Sequence, residues 1–221
     1  MPGDGAGTWQ GRDSAGSGHR LSITEEELAI VTDSASGQEL ASADFGLVVD
    51  GYRLRPWAAG DARVMADIVS EPTIPRWTFL PYDMPAEQAE RWIENREAQR
   101  TNGSGFALAI ETRDTGQVLG CVGLADLDAE LGPEAYYWIG ASARRQGVAT
   151  RALSRVCRWA FDTAGVARVR LFTEPDNLPS CGVAERVGFV QEGRLRCAAV
   201  NKQGQRGDLL LYGLLPEDIA P

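Results

Sequence analysis

Apolar positions recur with two different periods along this chain, strand-like and helical, and the changes of period divide it. Val48, Tyr52, Leu54 and Trp57 lie in one strand-like run that ends at Pro56. After Asp61, Val64, Met65, Ile68 and Val69 repeat at helical spacing. Pro72, Pro75, Pro81 and Pro85 mark a turn-rich stretch, and Pro85 opens a second helix with Ala89, Trp92 and Ile93 on one face. From Phe106 the pattern becomes that of strands: Phe106 to Ile110, then Val118 to Leu124 after an Asp114-Thr115-Gly116-Gln117 turn, then Tyr136 to Ile139. Val148, Leu153, Val156, Cys157 and Ala160 define the next helix. Arg168 to Thr173 is a strand, Asn177 to Val187 a short helix stopped by Gly188, and two strands flank Gln203-Gly204-Gln205. The order β-α-α-β-β-β-α-β-α-β-β implies an α/β layered domain, with a mixed sheet flanked by helices.

Composition adds an asymmetry. The net charge is −9, and residues 1–46 hold eight acids against two bases. Residues 1–20 are rich in Gly, Ser and Asp and read as disordered; 21–46 read equally as a capped helix or as a strand and turn. The expected organisation is an acidic extension over 1–46, a folded domain over 47–216 and a short tail over 217–221. The acidity argues against nucleic acid as a partner. No apolar run suits a membrane span, and the first residues lack a basic-then-apolar leader pattern, so a cytoplasmic location is expected. Cys121, Cys157, Cys181 and Cys197 form no Cys-x-x-Cys pair and His19 is the sole histidine, so no metal is expected. Cys121 and Cys157 fall in apolar patterns as small core residues.

Candidate chemistry concentrates at Arg144-Arg145-Gln146-Gly147-Val148-Ala149-Thr150, between the Tyr136 strand and the helix after Gly147. A basic, glycine-containing turn that opens a helix aims free N–H groups and the positive end of the dipole at one point. A phosphate or diphosphate suits that point, and Gly147 lets the backbone approach it closely. The chain lacks both Gly-x-Gly-x-x-Gly after an early strand and Gly-x-x-x-x-Gly-Lys-Ser/Thr, which argues against dinucleotide oxidoreductases and P-loop NTPases.

Arg144 to Ala149 resembles the acyl-CoA signature of the GNAT acetyltransferase superfamily, Gln/Arg-x-x-Gly-x-Gly/Ala. Glu134 to Gly140 resembles the Glu-Leu-Gly-Tyr-Trp-Ile-Gly strand of its ribosomal-protein N-terminal acetyltransferase (Rim-type) branch. Asn177, Ser180, Val183, Gly188 and Phe189 resemble that branch's second motif, and Glu192-Gly193 with Asp208 and Tyr212 resemble its end. Four motifs in order, over about Leu47 to Leu215, carry the resemblance. It implies a GNAT-like, mostly antiparallel sheet whose strands before and after the glycine-turn helix splay to admit acetyl-CoA.

The resemblance also implies roles. Backbone at Ile139, Gly140 and Ala141 would meet the pantetheine arm. Arg144, Arg145, Gln146, Gly147, Val148, Ala149 and Thr150 would hold the diphosphate, with Asn177 against the arm or as a helix cap. Ser180 would sit near the thioester and protonate the departing thiolate. The implied reaction is direct acetyl transfer to a primary amine, on a small molecule or a protein N-terminus; the oligomeric state, homodimer included, stays open. Some Rim-type enzymes use a glutamate about nineteen residues after the serine as base; here that position is Ala199. Glu134 is the substitute, bordering the splayed strand, with Glu174 second and Tyr137 either a donor or a core aromatic. Trp57, Trp77, Phe79 and Tyr82 either line an acceptor pocket or pack in the core. The lost glutamate also keeps a non-catalytic acyl-CoA-binding or sensor module open as an alternative.

Overall fold

A computed structural model describes residues 46–219. The residues before Gly46, where the acidic extension falls, lie outside the described part. Strands β1 (Leu47–Val49) and β2 (Tyr52–Pro56) open the fold. Helices α1 (Ala62–Val69), α2 (Thr73–Trp77) and α3 (Ala86–Thr101) follow. Strands β3 (Gly105–Thr112), β4 (Val118–Ala125) and β5 (Glu134–Ile139) lead to α4 (Val148–Asp162). Strand β6 (Val169–Thr173), helix α5 (Leu178–Val187) and the hairpin β7 (Val190–Val200) and β8 (Arg206–Leu214) complete it.

Two elements differ from the sequence reading. The first strand-like run is a hairpin, because Asp50-Gly51 turns it back with Gly51 at φ 80°. The proline-rich stretch holds one helical turn, α2, in which Pro75 is third; so early in a helix its missing N–H costs no bond. The C-terminal boundary also moves. Asp218 accepts a bond from the Leu215 N–H at 2.9 Å, and Ile219 packs into the core rather than trailing as tail.

One eight-stranded sheet runs β1-β2-β3-β4-β5-β6-β8-β7. Every neighbouring pair is antiparallel except β5 and β6. Strands β3 and β4 are buried on both faces, as central strands between helical layers should be. Alternation sends Phe106, Leu108 and Ile110 toward α4 and α5, where Leu153, Val156, Cys157 and Ala160 cover them. It sends Ala107 and Ala109 toward α1 and α3, with Met65, Val69, Ala89 and Ile93. The small alanines there leave room for indoles: Trp57 lies 5.9 Å from Trp92 and 5.7 Å from Trp138, centroid to centroid. Gly123 serves the same layer. A Cβ on it would meet the Tyr136 hydroxyl at 2.7 Å, and that hydroxyl crosses above to bond the Phe106 carbonyl at 3.0 Å.

A polar clamp fixes the entrance to α1. Glu111, 5% exposed on β3, accepts bonds from Arg53 and Arg55 of β2. Arg55 also bonds Asp61, at 2.9 Å to Oδ1, and Asp61 accepts the Ala58 N–H at 2.8 Å. Burial works to raise the Glu111 and Asp61 carboxyls, but the arginine bonds prevail and hold both below their ordinary values.

Candidate active site

Strands β5 and β6 are parallel and share a single registered pair, Glu134 with Arg170. Beyond that rung they part, leaving a fork closed at Glu134 and open toward Ile139 and Thr173. The antiparallel register with β4 shows which main-chain groups line it. Gly140 donates its N–H to Leu119 at 2.8 Å on the β4 side, while the carbonyl of Pro133 accepts the Arg170 N–H at 2.9 Å on the β6 side. Alternation therefore turns the main-chain groups of Ala135, Tyr137 and Ile139 toward the fork. Of the three residues expected to meet a pantetheine arm, Ile139 has its main chain on the fork. Gly140 has its N–H engaged with β4 and its carbonyl with Ala143, and Ala141 begins a 3-10 turn. Tyr137 is the fork-facing residue that the motif did not single out.

Alternation also sorts side chains. Ala135, Tyr137 and Ile139 belong to the α4–α5 layer, and Tyr136 and Trp138 to the α1–α3 layer. Glu134 shares the latter parity.

At the open end of the fork stands the turn before α4. Arg145 and Gly147 adopt left-handed backbone, φ 60° and 75°. The helix has no side-chain cap at its N-terminus, and its first bond is Arg151 N–H to the Gly147 carbonyl at 3.0 Å. Six consecutive N–H groups, from Arg145 through Thr150, have no acceptor among the described residues. They form a concave row of donors at the positive end of a fifteen-residue helix.

The two arginines part company. Arg144 is committed to the protein: its Nε bonds the Ile139 carbonyl at 2.9 Å, Nη1 bonds Thr73 Oγ1 at 2.7 Å, and Nη2 pairs with Glu71. It ties the turn to the loop ahead of α2. Arg145 is exposed and forms no ion pair among the described residues. Gln146 braces the turn by donating to the Ser142 carbonyl at 2.9 Å, and Val148 buries its side chain beneath the turn.

Helix α5 brings Ser180 to the same face. Asn177 is its N-cap, with Oδ1 accepting the Ser180 N–H at 3.3 Å. This uses the side-chain oxygen and leaves its NH2 without a partner among the described residues. The Ser180 hydroxyl lies 2.9 Å from the Tyr137 hydroxyl, which also reaches the Ser180 carbonyl at 3.3 Å. Burial pushes the Tyr137 phenol up to about 12 against the opposing Ser180 bond, so it holds its proton at neutral pH. Level with Tyr137 across the fork, by the register of Glu134 with Arg170, stands Thr173. Its side chain shares the face of Val169 and Leu171, and its hydroxyl is buried without a hydrogen-bond partner among the described residues. An orphaned hydroxyl of this kind costs about 1–3 kcal/mol, a cost that a polar ligand in the fork would offset.

The structure does not bring Glu134 to Ser180. Glu134 sits at the closed end of the fork, 3.9 Å from the Arg170 Nε. Burial raises its carboxyl, opposed by Arg170 and aided by the nearby Asp126. Ala199 lies in β7 just past a bulge in which Cys197 takes φ 54°. The carboxylate opposite that bulge is Asp208, which accepts the Cys197 N–H at 2.9 Å and Arg194 Nε at 2.7 Å. Among the aromatics, Trp57 is core, whereas Phe79 is fully exposed and Tyr82 half exposed. Lys202, at the β7–β8 tip, donates to the carbonyls of Pro75 and Leu80 and lies 4.6 Å from the Tyr82 ring. Cys181 is buried beside Ser180.

Comparison with known proteins agrees with this architecture. The chain is 25% identical over 175 residues to the uncharacterized N-acetyltransferase p20 of Bacillus licheniformis, covering 79% of this chain and 98% of that protein. Among solved structures it resembles RimL, a ribosomal L7/L12 alpha-N-protein acetyltransferase in complex with coenzyme A, with TM-score 0.70, 18% identity and coverage of 76% and 97%. It also resembles a spermidine N-acetyltransferase from Vibrio cholerae in complex with CoA and spermine, with TM-score 0.66, 18% identity and coverage of 76% and 98%. Residues 52–190, more than half of the chain, match the acetyltransferase (GNAT) domain, and the chain belongs to that family.

Proposed function

We propose that the chain moves an acetyl group from acetyl-CoA to the α-amine of a peptide by direct attack. The observation that carries this reading is the fork between β5 and β6 beside six N–H groups at the mouth of α4 that have no acceptor among the described residues. The donor row suits the diphosphate, with Arg145 adding charge. The main-chain groups of Tyr137 and the Ile139 N–H suit the amides of the arm, and the Asn177 NH2 and Thr173 hydroxyl supply further polar contacts. A thioester in the fork would be open to the α1–α3 face, with its sulfur toward Ser180.

An α-ammonium has an ordinary pKa of about 8 and must lose a proton before it attacks. Glu134, on the α1–α3 side and with raised proton affinity, is the carboxylate suited to take that proton through water. The amine nitrogen bonds to the carbonyl carbon, a fork-facing N–H steadies the oxyanion, and the C–S bond breaks. Ser180 gives its proton to the thiolate and is reprotonated through Tyr137. A peptide acceptor fits the exposed Phe79 and half-exposed Tyr82 at the rim, and the similarity to RimL supports it.

Ala199, where some relatives have their base, favours a second reading, a module that binds acetyl-CoA without turning it over. Thiol release from acetyl-CoA, followed against a panel of peptide and polyamine acceptors, separates the two. Release that depends on a peptide α-amine supports the enzyme. Acetyl-CoA binding with no release from any acceptor overturns it in favour of the module, and absence of binding overturns both.

A further inference from the structure

Each nitrogen of the Arg144 guanidinium has a protein acceptor. Nε takes the Ile139 carbonyl at 2.9 Å, Nη1 the Thr73 hydroxyl at 2.7 Å and Nη2 the Glu71 carboxylate. Glu71 neutralises the charge and also accepts the Thr73 hydroxyl and, at 3.3 Å, the Thr73 N–H. The hydroxyl thus donates to the carboxylate and accepts from the guanidinium, so the three side chains form one closed knot. Bonds to Arg144 and Thr73 hold the Glu71 carboxyl below its ordinary value, against the effect of burial. The ion pair is not deep: its side chains are 34% and 28% exposed. Pairs so accessible contribute little to stability. What the knot does is better read from what it joins.

Thr73 is the first residue of α2, a helix of five residues with no side-chain cap from its N-cap Pro72. A helix so short does not hold itself and depends on what it is tied to. Ile74 and Pro75 bury against the α1–α3 layer, and Lys202 of the hairpin tip bonds the carbonyls of Pro75 and Leu80. The segment that carries exposed Phe79 and half-exposed Tyr82 is therefore fastened by Arg144 at its entry and by Lys202 at its exit. Arg144 is also the residue just before the donor row, and its Nε uses the carbonyl of Ile139 at the open end of the fork. We propose that Arg144 is a positioning residue for the acceptor: it fixes the rim that seats the peptide, and of the two adjacent arginines it is Arg145 that serves the anion. The inference rests on the transfer reading above. It gives the first arginine of the turn a part on the acceptor side, where a rim displaced by about 1 Å is enough to misplace the attacking amine.

The test compares the full parent chain with Arg144→Gln, Glu71→Gln and the double variant. The acceptor is the peptide of the panel that gives the fastest thiol release; peptide and acetyl-CoA are varied in turn, and coenzyme A is titrated by calorimetry. KM for the peptide is expected to rise about tenfold in each single variant and no further in the double, since both break one knot. The kcat at saturation and the Kd for coenzyme A are expected to stay within about twofold of the parent, which also reports that the variants are folded. Thr73→Val, which keeps the ion pair, is a gentler variant with an expected rise of about threefold. Weaker coenzyme A binding in Arg144→Gln but not in Glu71→Gln overturns the inference, because the guanidinium would then hold the anion. An unchanged peptide KM in Glu71→Gln overturns it as well, and so does a fall of kcat and both affinities together, the mark of a merely structural knot. Each of these leaves the transfer reading standing. A parent chain that binds coenzyme A but releases no thiol with any acceptor overturns the transfer reading and this inference with it.

Discussion

The hydroxyl of Tyr137, on the strand that lines the fork, lies 2.9 Å from the hydroxyl of Ser180, in the first turn of α5. The pair joins two elements 43 residues apart, and both groups are protonated at neutral pH. In the proposed reaction they form one short relay to the leaving sulfur. Ser180→Ala is expected to lower kcat about 100-fold and Tyr137→Phe about tenfold, with KM for acetyl-CoA changed less than about twofold. The double variant should be no worse than Ser180→Ala alone, since both act on one proton. Steady-state kinetics on the four proteins checks this; additive losses would dissolve the relay.

Gly147 carries the second prediction. Its φ of 75° disfavours any side chain, and a Cβ there would stand 3.0 Å from Arg151 Nη1. Gly147→Ala is expected to cost about 1–2 kcal/mol in stability through backbone strain. Gly147→Glu adds a carboxylate at the donor row and should weaken coenzyme A binding about 100-fold. Thermal melting and calorimetry separate the effects: an Ala variant that melts like the parent removes the strain argument, and a Glu variant that binds normally removes the diphosphate site.

Lys202 crosses from the hairpin tip to α2 and the loop after it, and joins them through two carbonyls. Lys202→Met keeps the apolar stem but loses both carbonyl bonds and the contact with Tyr82. The expected result is an acceptor KM raised about fivefold with KM for acetyl-CoA unchanged, because only the rim loses its brace. Kinetics with each substrate varied in turn decides it; a rise in both constants would mean the hairpin supports the whole site.

Glu111 governs stability toward acid. Its carboxyl titrates below the ordinary range in the folded chain, despite burial, because Arg55 and Arg53 bond it. The folded state therefore binds this proton less readily than the unfolded state. The clamp contributes fully above the unfolded value of about 4.3 and fades as pH falls through the lower folded value. Glu111→Gln is expected to cost about 2 kcal/mol at pH 7, with a gap that narrows toward pH 3. Urea melts at several pH values check the sign, which would be wrong if the gap widened in acid.

Much of this molecule was legible from spacing. The helices over Met65, Ile93 and Leu153 and the strands over Leu108 and Val122 follow from periodicity, because each buries one face or two. Local rules hid the rest. The tight turn at Asp50-Gly51 sits inside an otherwise continuous strand-like run, and a helix of one turn around Pro75 is too short to show a period. At the site, spacing located the turn at Gly147 and the family resemblance pointed to the serine at 180, but neither showed what each arginine meets. Arg144 and Glu71 are 73 positions apart, and only the folded chain shows that the first arginine braces the turn while the second faces outward. Tyr137 read either as a donor or as a core aromatic, since its hydroxyl's partner is equally remote. Thr173 gave no signal, because an orphaned hydroxyl is a property of packing.

The lone rung between Glu134 and Arg170 makes the sheet two panels on one hinge pin. Five strands swing on one side and three on the other, and what spans the gap is mostly side chains rather than ladder. A guest wedged between the panels would stitch them through its own amides, so occupancy and rigidity would rise together. Melting temperature should then climb with the concentration of coenzyme A well past saturation, as mass action requires of any guest held only by the closed book.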